Sequence, residues 1–128
     1  MSDAQNATEA AVYTALAAGS LSYSVYQHVP EDTAPPVNII GDIAGEPLGD
    51  KAGVDERIEL SITTVYQGEA RKPVLTEQQK IIAALDGKSL TSGSWTIRPE
   101  KMSADAVMLP DGETYVGTTR FTIFAFKN

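Results

Sequence analysis

The most constraining feature of this sequence is an alternation of side chains over residues 58–66. Apolar and large side chains occupy every second position and mainly polar ones lie between them, which is the period of two of a β-strand. The first set is Ile58, Leu60, Ile62, Thr64 and Tyr66. A strand with one apolar face is typical of an antiparallel sheet that is covered on one side. The segment therefore predicts a sheet and a layer that packs on it.

Two other segments have the apolar spacing of an amphipathic helix, and they supply that layer. The first stripe is alanine-rich and precedes Gly19, which predicts the end of the helix. Its members are Ala4, Ala7, Ala11, Val12, Ala15 and Leu16. The second helix is predicted over 71–86, with Pro73 in its first turn and Gly87 at its end. Its stripe is Val74, Ile81, Ile82 and Leu85.

The remaining chain is rich in aromatic and β-branched residues, and it predicts further strands. They cover 22–29, 37–44, 94–102, 106–109 and 115–126, with a glycine-rich surface loop at 45–54. The last strand has no wholly polar face, which predicts a central strand or one that a partner covers. The order of elements predicts an α+β fold, a largely antiparallel β-sheet with two α-helices packed on one face. At this length we expect a single domain over 1–128.

Charge divides the chain into two unlike halves. The net charge is −7, but residues 1–70 contribute −9 and residues 71–128 contribute +2. An acidic protein repels nucleic acid phosphates and lacks the basic surface of a sequence-reading DNA-binding protein. The split has two interpretations, a device for solubility or two unlike surfaces that suit head-to-tail contacts between copies.

Composition excludes several classes of function. The chain has no cysteine, so it has no disulfide scaffold, zinc–thiolate site or cysteine nucleophile. It has no apolar run of membrane-spanning length, and its N-terminal residues lack the pattern of a signal peptide. We therefore expect a soluble cytosolic domain without an export route of its own.

Candidate catalytic and ligand-binding motifs are incomplete. Gly87-Lys88-Ser89 ends like a phosphate-binding loop, but position 82 is Ile and the helix precedes the motif instead of following it. The sole histidine, His28, is not accompanied by the Gly-x-Ser-x-Gly motif that carries the nucleophilic serine in α/β-hydrolases. Trp95 and the C-terminal phenylalanines (Phe121, Phe124, Phe126) are predicted to pack in the core instead of stacking on nucleic acid bases.

Two acidic pairs, Glu31-Asp32 and Asp55-Glu56, lack the alternating ligand spacing of a calcium loop and are interpreted as solvated turns. No catalytic constellation or metal site is therefore predicted. This favours a role in assembly or binding.

The order of elements and two short motifs resemble a known family of proteins. The motifs are Val25-Tyr26-Gln27-His28-Val29-Pro30 and the final Tyr115-Val116-Gly117-Thr118-Thr119-Arg120-Phe121. Together with the alanine-rich first helix and the long strand 57–67, they resemble the tail-completion or tail-terminator family of long-tailed bacteriophages and phage-derived particles. The resemblance extends over about residues 8–126. The second helix departs from the family pattern, because Lys72-Pro73 interrupts what is usually a longer helix.

The resemblance implies a structural virion protein, not an enzyme, without a cofactor or metal. Family members form a ring, generally a hexamer, at the head-proximal end of the tail tube, where they end tube polymerisation and join the tail to the head connector. The implied partners are other copies of the chain, the tail tube protein and connector or neck proteins, with no membrane. The implied location is the tail or neck of a virion assembled in the bacterial host cytoplasm. DNA is expected to pass through an acidic lumen without specific binding.

Rings of more than two copies use head-to-tail contacts between unlike patches. The charged and loop residues expected at such contacts, or at contacts with partners, are Leu48, Asp50, Lys51, Asp55, Glu56, Arg71 and Lys72. Three alternatives remain open: a head-closure or head–tail joining protein of the neck, a small metal-dependent hydrolase with an acidic site, and a monomeric regulatory binding domain.

These expectations predict the effect of reversing the basic pair. The double variant Arg71→Glu/Lys72→Glu is expected to weaken ring formation, because it removes positive charge that would face an acidic neighbour. Light scattering at equal protein concentration measures the effect. An unchanged oligomer size would show that these side chains are solvated charges that contribute little to assembly.

Overall fold

The computed structural model describes residues 3–30, 32–48 and 55–128. The first half of the chain forms α1 (Asp3–Ala18), β1 (Val25–Tyr26), β2 (Val37–Pro47) and β3 (Glu56–Gln67). The second half forms α2 (Lys72–Leu85), β4 (Leu90–Ser92), β5 (Trp95–Met108) and β6 (Thr114–Lys127). The predicted α+β class is confirmed.

The strands form a single curled sheet in the order β1-β2-β3-β6-β5-β4. Neighbouring strands are antiparallel except for β1 and β2, which are parallel. The middle of the sheet is the long pairing of β3 with β6, which runs in unbroken register from Glu56 opposite Ala125 to Gln67 opposite Thr114. The prediction that the last strand is central is therefore confirmed.

The core lies between the two helices and one face of the sheet, as the alternation in β3 predicts. The predicted stripes supply its helical side, including Leu16 of α1 with Ile81 and Leu85 of α2. On the sheet side, Ile58, Leu60 and Ile62 are buried, as are Phe121 and Ile123 of β6. The helix-free face of the same strands is half-buried or exposed.

The predicted strand at 22–29 is wrong over most of its length, since β1 contains two residues. The backbone N–H groups of Ser22 and Tyr23 donate to the carboxylate of Glu77, at 3.0 Å each. A side chain of α2 therefore takes the place that a neighbouring strand would have in a ladder. The aromatic and β-branched composition of the segment does not reveal this competing partner.

The strand boundaries around the two halves of the sheet also differ from the predictions. Gly45–Pro47 extends β2 into the predicted surface loop, whereas residues 49–54 lie outside the described residues. The predicted strands 94–102 and 106–109 are one strand, β5, with an irregularity between Lys101 and Ser103. A bulge adds one residue, so the side chains after it alternate in the opposite phase between the two faces of the sheet. In the sequence, this change of phase looks like the end of one strand and the start of another. The three-residue β4 was not predicted.

Gly117 sets the distance between α2 and the sheet. A Cβ atom at this position would lie 2.6 Å from a methyl carbon of Val74 and 2.7 Å from the side-chain nitrogen of Gln78. The helix therefore packs directly on the backbone of β6. Across this gap, the Gln78 amide donates a hydrogen bond of 2.8 Å to the backbone carbonyl of Asp105 in β5.

Gly117→Ala is expected to destabilise the fold by about 1–3 kcal/mol, because the added methyl group displaces α2 from the sheet. Gly41→Ala is the matched control, because its Cβ would meet first the hydroxyl of Ser61 at 3.2 Å, which belongs to a small side chain. Urea unfolding measures both. Equal free energies of unfolding for the two variants would contradict this account of the helix position.

Candidate functional site

Part of the predicted contact surface lies where β2 ends and β3 begins. The Leu48 N–H donates to the Asp55 carbonyl oxygen at 2.9 Å, and Glu56 begins β3 beside it. The Asp55 carboxylate accepts the backbone N–H of Lys127 at 2.8 Å, so it also fixes the end of β6. Asp50 and Lys51 lie outside the described residues. The structure thus places Leu48, Asp55 and Glu56 together, and we call these residues the acidic end.

The two basic residues lie at the other end of the strands. Arg71 and Lys72 are exposed at the start of α2, and the Arg71 guanidinium lies 5.7 Å from the ring centre of Tyr115. Tyr115 pairs with Tyr66, ten residues along β3 from Glu56, which corresponds to about 34 Å. We call Arg71 and Lys72 the basic end. Within one chain the two ends do not meet, so a contact between them would have to join two copies.

The two halves of the chain occupy the two lateral halves of the sheet. Strands β1, β2 and β3 come from residues 1–70, and strands β6, β5 and β4 come from residues 71–128. On the strands themselves, β2 and β3 carry four acidic side chains and one basic one, whereas β5 and β6 carry four basic and two acidic side chains. Two opposite edges of unlike charge are what a head-to-tail contact between identical copies requires.

The helix-free face of β2, β3 and β6 forms a shallow groove of about 350 Å³. Its lining includes Asp42, Glu59, Ser61, Thr63, Thr118 and Arg120. The Arg120 guanidinium pairs with the Asp105 carboxylate at 3.0 Å, and Arg57 pairs with Glu46. The groove therefore presents hydroxyls and the carboxylates of Asp42 and Glu59, beside two neutralised ion pairs. The residues that line the groove include no histidine, cysteine or lysine.

A buried carboxylate connects α2 to the acidic half of the sheet. Glu77 is 1% exposed and accepts hydrogen bonds from the Ser22 and Tyr23 N–H groups and, at 2.7 Å, from the amide nitrogen of Asn38. The Asn38 oxygen in turn accepts the hydroxyl of Thr64 at 2.6 Å. Burial of the Tyr23 phenol, with the Glu77 carboxylate as the next cause, raises the pKa of that tyrosine. We call Glu77, Asn38 and Thr64 the buried polar network.

The buried polar network was not predicted from the sequence, and only its neighbour left a signal. Gln78 lies in register with Val74, Ile81 and Leu85, so it is a polar residue on an otherwise apolar stripe. A polar side chain in that position indicates a buried hydrogen-bonding partner. In the sequence, Glu77 lies beside the apolar stripe, at a position expected to face solvent. The segment that covers it in the structure is 55 residues away in the chain, so the local pattern does not indicate its burial.

The residues that the sequence offered as catalytic or ligand-binding candidates do not lie together. His28 is exposed, and Gly87-Lys88-Ser89 follows the end of α2 with Gly87 at φ +74°. Trp95 and Phe121 are buried as predicted, whereas Phe124 and Phe126 are half-buried on the helix-free face. Within residues 3–30, 32–48 and 55–128, no group of three or more His, Cys, Asp or Glu side chains could hold a metal ion. No helix in the same ranges is long and apolar enough to span a membrane.

Comparisons with known proteins agree with the arrangement of elements. The sequence model of a family described as "Tail completion protein gp17" matches residues 5–125. A chain in the solved structure "Virion of native gene transfer agent (GTA) particle" superposes with a TM-score of 0.86 and 16% sequence identity, covering 98% of both chains. At that identity the likeness shows the fold. No curated protein matches the chain.

Glu77→Ala is expected to destabilise the fold by about 2–4 kcal/mol, because the part-buried N–H groups of Ser22 and Tyr23 and one N–H of the buried Asn38 amide lose their acceptor. Amide hydrogen exchange at Ser22 and Tyr23 should accelerate in the same variant. Gln79→Ala is the matched control, an exposed residue of the same helix whose loss should change stability by less than about 0.5 kcal/mol. Unchanged exchange at Ser22 and Tyr23 would contradict the role given to Glu77.

Proposed function

Because the chain belongs to the tail completion protein gp17 family, we propose that it forms a ring of six copies at the head-proximal end of a tail tube. Family membership makes the chain a structural component of a phage-like tail, and the match over residues 5–125 carries the proposal. The ring stops polymerisation of the tube and presents its other side to the connector of the head. The fold shared with a chain of a gene transfer agent virion supports this placement.

The size of the chain is compatible with a ring around DNA. A domain of this length has a radius of gyration of about 14 Å, equivalent to a sphere about 36 Å across. Six touching spheres leave a central hole of about the same width, which is wider than a DNA duplex. Interpenetration of the copies narrows the hole and still leaves room for passage.

The charge supports passage without binding. Six copies carry a formal charge of about −42, since each has −7. We assign the lumen to the helix-free face of β2 and β3, where Asp42 and Glu59 are exposed and Glu46 is paired with Arg57. A lumen of this kind repels phosphates, so a genome slides past instead of adhering. The paired cations Arg57 and Arg120 do not reverse this sign.

The acidic end and the basic end then have separate roles. They lie at opposite ends of the strands, so in a ring whose strands run between its two sides they face different partners. We propose that one end contacts the tail tube and the other the connector, which replaces the expectation from the sequence that Arg71 and Lys72 hold neighbouring copies together. Asp50 and Lys51, beside the acidic end in sequence, belong to the same proposal.

Polymerisation of the cognate tube protein tests this function. Added in slight excess over tube ends, the protein should arrest growth and shorten the length distribution of the tubes, measured by negative-stain microscopy. Albumin at the same concentration is the control for non-specific effects. Unchanged tube lengths together with binding to isolated portal complexes would contradict the proposal and indicate a head–tail joining protein of the neck.

A further inference from the structure

The outer edge of β5 is satisfied by the chain itself over its first half. β4 pairs with the segment from Trp95 to Ile97. Next along the edge, the carbonyl oxygen of Pro99 accepts the Gly87 N–H at 3.1 Å. The N–H of Lys101 then donates to the Asp86 carboxylate at 2.9 Å. Up to the bulge, the outward N–H groups of this edge strand and the Pro99 carbonyl therefore have partners.

Beyond the bulge, the outward backbone groups of β5 have no hydrogen-bond partner among the described residues. The Leu109 N–H donates to the Thr114 carbonyl of β6, and in an antiparallel pair alternate residues face the partner strand. Ala104, Ala106 and Met108 therefore direct their backbone N–H and C=O groups away from β6. Among the described residues, no hydrogen bond reaches these outward groups. We call the segment 104–109 the open edge.

The open edge is also apolar and lacks the usual protection. Proteins block exposed strand edges with proline, charged side chains and bulges. The first half of β5 has Pro99, Lys101 and the bulge, whereas the sole charge in the open edge, Asp105, is paired with Arg120. Its large side chains are exposed: Val107 by 52%, Met108 by 50% and Leu109 by 37%. An unprotected edge of this kind is a template for an added strand.

The open edge is held in place by the rest of the fold. The Asp111 carboxylate accepts the N–H groups of Glu113 and Thr114 and fixes the turn between β5 and β6. These bonds, and above all the hydroxyl of Thr114, lower the pKa of that carboxyl group. Gln78 holds the carbonyl of Asp105 from the helix side. A strand that is ordered before binding loses less conformational entropy on pairing.

We propose that the open edge binds a second copy of this chain, pairing antiparallel with the outer part of β2, Ile43–Pro47, and so continues the sheet from one copy to the next. The proposal rests on the ring described above. β1 covers only Asn38 and Ile39, and no strand among the described residues lies outside Ile43–Pro47. The one charged side chain of each edge, Asp105 and Glu46, is paired with an arginine of its own copy, Arg120 and Arg57, so no unpaired like charges oppose the pairing.

Strand direction and offset both suit a closed ring. β2 and β5 run in opposite directions, so copies that keep one orientation around the ring pair antiparallel. Within one copy, Ala106 lies level with Thr64 of β3, and Gly45 lies level with Ile58 of the same strand. If Ala106 of one copy pairs with Gly45 of the next, the next copy is displaced by six residues, about 20 Å, along the strands. The repeat across four strands is about 19 Å. The strands then incline by roughly 45° to the ring axis, within the usual range of closed sheets.

Two matched methionine variants test the proposal on the intact chain. Met108→Lys places a charge on the open edge and should raise the concentration needed for half-assembly by about tenfold or more. Met102→Lys, the control, alters a methionine of the same strand that is 54% exposed and lies before the open edge. It should assemble like the unmodified protein. Mass photometry gives the oligomer distribution, and thermal melting verifies that both variants are folded.

Cross-linking identifies the partner strand, since the chain has no cysteine. The double variant Ala44→Cys/Val107→Cys places both thiols on the helix-free face, and a short bis-maleimide should give a ladder of up to six copies. Val107→Cys with Gln27→Cys, beyond the end of β1, is the control and should give no ladder. Dimers from Val107→Cys alone would show that two open edges pair with each other, which overturns the proposal.

The remaining outcomes distinguish a failure of the proposed edge pairing from a failure of the proposed ring. If the unmodified protein forms rings and Met108→Lys assembles as well as Met102→Lys, the edge pairing is wrong and the ring stands. The same conclusion follows if the Ala44→Cys/Val107→Cys variant forms rings without a ladder. If the unmodified protein remains monomeric even with tail tubes, both proposals are wrong.

Discussion

The placement of α2 on the sheet is the constraint on which the rest of the structure depends. Two adjacent side chains of this helix reach in opposite directions. Glu77 holds the segment at Ser22 and Tyr23 and, through Asn38, the strand β2, whereas Gln78 passes over Gly117 to the backbone of β5. One helix thereby fixes both lateral halves of the sheet. A buried carboxylate is tolerated there because its three donors replace the hydration that it loses.

The same division gives the chain two unlike edges through which copies can join in a specific direction. Each half of the sequence forms one lateral half of the sheet, so the two edges differ in charge and in backbone exposure. A rigid unit with two unlike edges can join copies in one direction only, which closes a ring or extends a filament. The helix-free face of β2 and β3 remains available for a lumen. The molecule is therefore described better by its surfaces than by a single site.

The sequence predicts the elements that depend on local periodicity. It does not predict the structure of segments whose conformation depends on a contact with a residue far away in the chain. The alternation in β3 and the stripes of both helices are local, and the structure confirms them. The segment at Ser22 has the composition of a strand but binds Glu77, which lies 55 positions away. The bulge after Lys101 reverses the parity of β5 and hides its continuity. The grouping of Leu48 with Asp55 and Glu56 follows from the hairpin, whereas the distance to Arg71 depends on the register of β3 and β6.

The central claim is that copies of this chain close a ring on the end of a tail tube. Electron microscopy of purified tubes mixed with the protein, with averaging of the tube ends, tests it most directly. The account predicts an added layer with six-fold symmetry at one end of each tube, a central channel, and bare tube walls. Bare ends at saturating protein, or protein distributed along the walls, would contradict it.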